Sequence, residues 1–317
     1  MPENDKIDVS VCIVTYNQEK YIAQCLESFV EQETNFNIEI IVGDDCSTDE
    51  TRTVIDGFQK KHPELIFPVY HEKNLGPVKN ILSVYRRAKG KYICHVDGDD
   101  YALPGKLQKQ FDILEENPSC VICSHDMMLI DTENKFVRSS FRNQRKGVNT
   151  IFDLYKNLPF FAHSSKMFVN DMAAAFWNQL HTDALDIEVH CQQAKAGDIY
   201  HVSEALGAYR VSAGVSAQGN KVNPLLVAGT ERIFSAALTE AKNENEKRFL
   251  NKCYARAIYQ YAYQSALFGD SESLKFYIRK SLKISPVSVG QIFFALLSTF
   301  PMIVISLCRF RKKIKGY

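Results

Sequence analysis

The stretch KYICHVDGDD (residues 91–100) decides how this chain is read. Its first half is an apolar, strand-like run. Its second half sets Asp97, Asp99 and Asp100 within four positions, with no Lys or Arg among them. Carboxylates this close repel one another, so the sequence asks for a cation, or a cationic reaction centre, that it does not itself contain. Taken alone, the three acids have an ordinary explanation as turn and helix-capping residues.

The surroundings point further. VSVCIV (9–14) is a near-continuous apolar run, as in a parallel strand covered on both faces. Asn17 is placed to cap a following helix with Ile22, Leu26, Phe29 and Val30 on its inner face. IEIIV (38–42) is a second strand, and GDDCSTDET follows it; Ser47 and Glu50 have capping-box spacing, which starts a helix near Thr48. LIFPVY (65–70) is a third strand, put near a sheet edge by Pro68. NLGP (74–77) is a turn, and 78–89 reads as helix. KYICHV is the fourth strand. This alternation predicts a mainly parallel α/β sheet with helices on both faces. Ligands of such sheets bind beyond the carboxyl ends of the strands. Asp44, Asp45 and the 97–100 acids all fall at such ends. The first strand end, TYNQEK, has no glycine-rich phosphate loop, which excludes a dinucleotide-binding Rossmann domain. An acidic crevice takes a phosphate only through a bridging cation, and carboxylates suit Mg²⁺ or Mn²⁺.

Composition is that of a globular protein, with 317 residues, 45% hydrophobic, 24% charged and a net charge of +1. No global field favours nucleic acid. MPENDKIDVS has neither the basic nor the apolar region of a signal peptide. Nine cysteines lie mostly in apolar runs, as expected of reduced core thiols. Cys120 and Cys123 form a CxxC without a second pair, so they read as core thiols rather than as zinc or redox ligands.

VSVCIVTYNQEKYIAQCLESFVEQ, IIVGDDCSTDET, NLGPVKN and AKGKYICHVDGDD, in that order, resemble the donor half of family 2 glycosyltransferases, which have the GT-A fold. The resemblance implies a metal-dependent, inverting transfer of a sugar from a nucleotide diphosphate donor, a UDP-sugar, to a saccharide or lipid-linked hydroxyl, as in cell-surface polysaccharide synthesis. It implies that Asp45 contacts the nucleobase, that Asp97 and Asp99 hold the ribose and the Mn²⁺ or Mg²⁺, and that Thr15 and Lys79 lie against the nucleotide. Cys46 departs from the family's usual glycine. HTDALDIEVHCQQAKAG, registered on AKAG (194–197), puts Asp186 at the position of the catalytic base, with Asp183 as its competitor. YRVSAGVS (209–216) resembles the loop over the diphosphate, so Arg210 is a phosphate contact or a surface salt bridge. His163, in FAHSSKMF, is near an acceptor pocket or structural. Competing readings are a sugar-1-phosphate nucleotidyltransferase, a response-regulator-like phosphoacceptor domain and an inactive donor-binding scaffold. The first lacks its Gly- and Arg-rich loop, and the second leaves Asp186 unexplained.

The expected organisation is a catalytic domain over 1–220, with a donor half to about 105 and an acceptor half after it, then a helical extension over 221–317. That extension should open with two or three helices. It ends in an apolar run, 292–308, followed by Arg309, Arg311, Lys312, Lys313 and Lys315. The run is short for a span and is interrupted by Ser298 and Pro301. It reads as an interfacial anchor at the cytoplasmic membrane surface, against a core helix or a true span.

Overall fold

A computed structural model describes residues 6–142, 145–211 and 221–314, the last four of these by backbone alone. The chain divides into two compact units, 1–154 with 159–217 and 155–158 with 218–317. The first carries a ten-stranded mixed sheet with helices on both sides. The apolar run becomes β1 (Val9–Thr15), flanked in parallel by β2 (Ile38–Asp44) and β4 (Tyr92–Asp97). Its inner position is why it has no polar alternation. β3 (Ile66–Tyr70) pairs in parallel with β2 at the end of the sheet, where Pro68 costs no ladder bond on its outer side. Between these strands run α1 (Ile22–Val30), α2 (Thr51–Lys61) and α3 (Pro77–Tyr85).

Beyond β4 the sheet becomes mixed. After the short β5 (Tyr101–Ala102) come α4 (Lys106–Glu116), β6 (Cys120–Ile130), β7 (Phe136–Arg138), β8 (Gly147–Asn149) and α5 (Ile151–Lys156). Then follow β9 (Lys166–Val169), α6 (Phe176–Gln179), α7 (Asp186–Gln193) and β10 (Asp198–Arg210). The strand order is β3-β2-β1-β4-β9-β6-β10-β5. β9 is antiparallel to both β4 and β6, so a late segment is wedged between the two parallel halves.

The second unit is helical, with α8 (Pro224–Glu240), α9 (Glu244–Phe268) and α10 (Ser271–Ile284). The apolar tail is not one helix. It folds as α11 (Val289–Leu297) and α12 (Pro301–Ile314), broken at Ser298–Phe300 and restarted by Pro301. No helix among the described residues is long and apolar enough to cross a membrane.

Three local expectations change. Asn17 does not cap α1; it takes a left-handed φ of 52°, and its Oδ1 accepts from Thr48 N, tying the first loop to the second. α2 starts at Thr51, three residues late, because Asp49 takes the Thr51 N–H and hydroxyl while Ser47 N–H goes to Asp44. α3 stops at Tyr85, because the next turn tightens on Val84 O and Tyr85 O. Gly90 must then pass β1 so closely that a Cβ would lie 2.6 Å from Ser10 N.

That passage is fixed by a buried carboxylate. Glu39 Oε1 accepts from Ser10 Oγ at 2.6 Å and from Lys89 N at 2.8 Å, and Ser10 Oγ accepts from Gly90 N. Glu39→Ala strands these donors in a site closed to water. It should cost about 1–3 kcal/mol in urea denaturation, and Glu39→Gln, which keeps one acceptor, should cost less.

Candidate active site

β1, β2 and β4 end side by side, with Thr15 opposite Asp44 and Val14 opposite Asp97. The acidic stretch turns there, with Asp100 N donating to Asp97 O and Gly98 N to Val14 O. Gly98 makes the turn possible. A Cβ on it would lie 2.5 Å from Gln18 Oε1, the atom that accepts from Thr15 Oγ1.

The three acids are unequal. Asp97 is the open one, with its side chain 35% exposed; its N–H donates to Ser164 Oγ, and its Oδ1 lies 3.2 Å from His95 Nε2. Asp99 and Asp100 are buried. Burial, with Asp97 beside it, pushes the Asp99 carboxyl up to about 6. Burial and the two neighbouring acids push Asp100 well above the usual carboxylate range. One Asp100 oxygen accepts from Arg210 N and the other has no partner.

Cations brace this turn from its buried side. Arg210 is 2% exposed, so it is no surface ion pair. Its Nε donates to Asp99 O, Nη1 to Asp131 O, and Nη2 to Gln24 Oε1 and Asn134 Oδ1, while the guanidinium stacks over Tyr21. Four of its five N–H groups are thus spent on protein acceptors. Lys106, also buried, donates to Ser164 O at 2.7 Å, behind the serine that holds Asp97. Lys166, at the start of β9, is fully buried and donates to Gln193 Oε1 at 3.0 Å. Burial pushes its ammonium down to about 7, against the pull of Asp186 and Asp97.

Asp186 opens α7 and accepts from Ile187 N at 2.8 Å. Burial raises its carboxyl, Asp97 raises it further, and Lys166 works the other way. The field of the acidic turn therefore reaches this second carboxylate. Asp183 instead pairs with His181, an exposed side chain. His163 Nδ1 lies 3.0 Å from His190 Nε2, and its ring centroid lies 3.8 Å from that of His95, the planes tilted by 51°. Both histidines are held neutral by burial.

The remaining sequence candidates sit as follows. Asp45 uses both oxygens on the NLGP turn, accepting from Leu75 N at 2.7 Å and Gly76 N at 2.9 Å. Asp44 is bound by Arg52 and Ser47 N. Lys79 is exposed on the first turn of α3. Of YRVSAGVS, residues 212–216 lie outside the described residues. Sequence reasoning missed Gln18, His95, Lys106, Ser164 and Lys166. The signal for the last two was the polar HSSK inside an otherwise apolar segment. All nine cysteines are free, Cys120 and Cys123 among them.

Among the described residues no three His, Cys, Asp or Glu side chains come together to hold an ion. A Mg²⁺-like ion takes one or two protein carboxylates and keeps most of its shell for water and phosphate. The charge excess fits such an ion: Asp97 is open, Asp99 is driven towards protonation beside it, and a buried Asp100 oxygen has no partner.

Comparison with known proteins bears on the family and the fold. The profile described as Glycosyl transferase family 2 matches residues 10–176. An uncharacterized glycosyltransferase of Methanocaldococcus jannaschii is 27% identical, over 84% of this chain and 90% of its own length. A protein of Mycobacterium tuberculosis is 29% identical over 64% of this chain, and the match spans 58% of that relative. The solved structure of S. aureus TarS 1–349 in complex with UDP-GlcNAc superposes with a TM-score of 0.67 at 19% identity, covering 98% of this chain and 92% of that one. The fold is GT-A.

The raised Asp99 carboxyl has a measurable consequence. Its folded-state value, about 6, lies above the ordinary 3.8, so the folded chain binds the extra proton between these limits. Stability conferred by that proton is present below about pH 4 and lost as pH rises through about 6. In EDTA, stability should therefore fall by about 2 kcal/mol between pH 4.5 and pH 7, and Asp99→Asn should remove that part of the slope. Urea titrations of both proteins at pH 4.5 and pH 7 check it.

Proposed function

The chain belongs to glycosyl transferase family 2, and we propose that it is an inverting, metal-dependent glycosyltransferase using a UDP-sugar, with Asp186 as catalytic base. The observation that carries this is the acidic turn where β1, β2 and β4 end side by side, with the Asp97 side chain open there. In this reading Asp97 and Asp99 hold Mn²⁺ or Mg²⁺, which supplies Lewis-acid neutralisation of the leaving diphosphate. Thr15 lies at the nucleotide, and Asp45, whose oxygens each retain an acceptor position, meets the base. Lys79 supplies an exposed positive charge near it. Arg210 works as a positioning residue, fixing the backbone of Asp99 and Asp100.

The acceptor is a hydroxyl of a saccharide or lipid-linked saccharide. As its oxygen attacks the anomeric carbon, its proton passes to an Asp186 carboxylate oxygen, and the bond from that carbon to the diphosphate oxygen breaks. One base opposite the leaving group gives inversion. Burial and Asp97 raise the Asp186 carboxyl, which strengthens it as a base. The chain acts in polysaccharide assembly, attached peripherally to a membrane on its cytoplasmic side, and has no nucleic-acid partner.

Two measurements test this. UDP binding by calorimetry should need Mn²⁺ and vanish in EDTA; equal affinity in both would remove the metal bridge. Asp186→Asn should lower sugar transfer by about a hundred- to ten-thousandfold with UDP affinity kept, while Asp183→Asn stays near normal. The opposite pattern would move the base to Asp183.

A further inference from the structure

The tail helices present two faces of different kinds. Inward, Val304, Ile305 and Cys308 of α12 pack with Ala262 and Ala266 of α9 and with Leu274 and Ile278 of α10. α11 is latched by the buried Gln291, which donates to Ser281 Oγ at 2.6 Å. Outward, Phe293 and Leu296 of α11 are 58% and 69% exposed, and Phe300 at the break is 63% exposed. Met302, Ile303, Leu307 and Phe310 continue this surface along α12. Their spacing is that of one helical face. So many large apolar side chains side by side in water mark an interaction surface.

The charge around this face selects its occupant. Residues 273–317 hold nine Lys or Arg and no Asp or Glu. Lys280 pairs with Glu231 of α8. A second copy docking through this face would bring two segments rich in Lys and Arg together, with no acids in either to compensate. An anionic lipid surface meets both the apolar and the basic requirement. The helices also rule out a span. At 1.5 Å per residue α11 and α12 are about 14 and 21 Å long, against a hydrocarbon core of about 30 Å.

We propose that α11 and α12 form a hairpin that lies flat in an anionic membrane surface, with the Phe293–Leu307 face in the acyl boundary. This deepens the membrane attachment proposed above and rests on it. Because the substituted side chains point away from the protein core, the outer face can be changed without opening the fold.

The full chain and the variant Phe293→Gln/Leu296→Gln/Ile303→Gln/Leu307→Gln are sedimented with vesicles of phosphatidylcholine alone and mixed with phosphatidylglycerol. A thermal melt checks that the variant keeps the parent's transition. The expected result is binding of the parent to the mixed vesicles only, weakened about a hundredfold or more in the variant. Parent and variant binding equally would overturn the hairpin and leave attachment through another segment. A parent that ignores both vesicles overturns attachment itself. If that parent sediments as a dimer and the variant as a monomer, the face is a contact between copies instead.

Discussion

Unbalanced negative charge at the end of β4 is the constraint on which the rest of this unit depends. Three aspartates within four residues repel, and two of them are buried. The turn persists because its main chain, more than its side chains, is held. Arg210 takes Asp99 O and gives its own N–H to Asp100. Ser164 receives the Asp97 N–H, and Lys106 secures Ser164 from behind. Each brace comes from a different element, so the turn is a meeting point of β10, α4 and the segment before β9. Asp97, with its side chain 35% exposed, is the open one of the three.

The parallel half of the fold was legible because local pattern and tertiary role agree there. The unbroken apolar runs at 9–14 and 38–42 are inner strands, and Pro68 marks the outermost one. Helix starts were less legible. Ser47 and Asn17 carry capping chemistry, but in this protein they spend it across loops: Asn17 on Thr48, and Ser47 Oγ on Asn17 N. A capping signature shows that a side chain will accept a backbone N–H; it does not show whose.

The candidate site divides in the same way. Asp97, Asp99 and Asp186 can be picked out because acids at strand ends and helix starts are conspicuous. Lys106 cannot, since a lysine in a sequence is by default a solvated one, and Lys166 shows only through the polar HSSK in an apolar segment. Their burial is decided by acids and amides far away in the chain. Arg210 was conspicuous but its use was not: next to a loop it suggests a ligand contact, and only its packing over Tyr21 with four protein acceptors reveals a brace.

β9 sets an order of assembly. It pairs Tyr92 with Val169 and Cys94 with Met167 on one edge, and Ile122 with Phe168 on the other. The strand that delivers the acids therefore lacks one neighbour until a segment some seventy residues later has been made and has closed its loop. During synthesis, a chain ended after α4 would expose that edge of β4 and leave Asp97 without Ser164. The half that carries the acidic turn is thus not a module that can be cut out and grafted onto another second half. Recombination between relatives would keep a working site only where the crossover carries residues 163–169 together with the strand they complete.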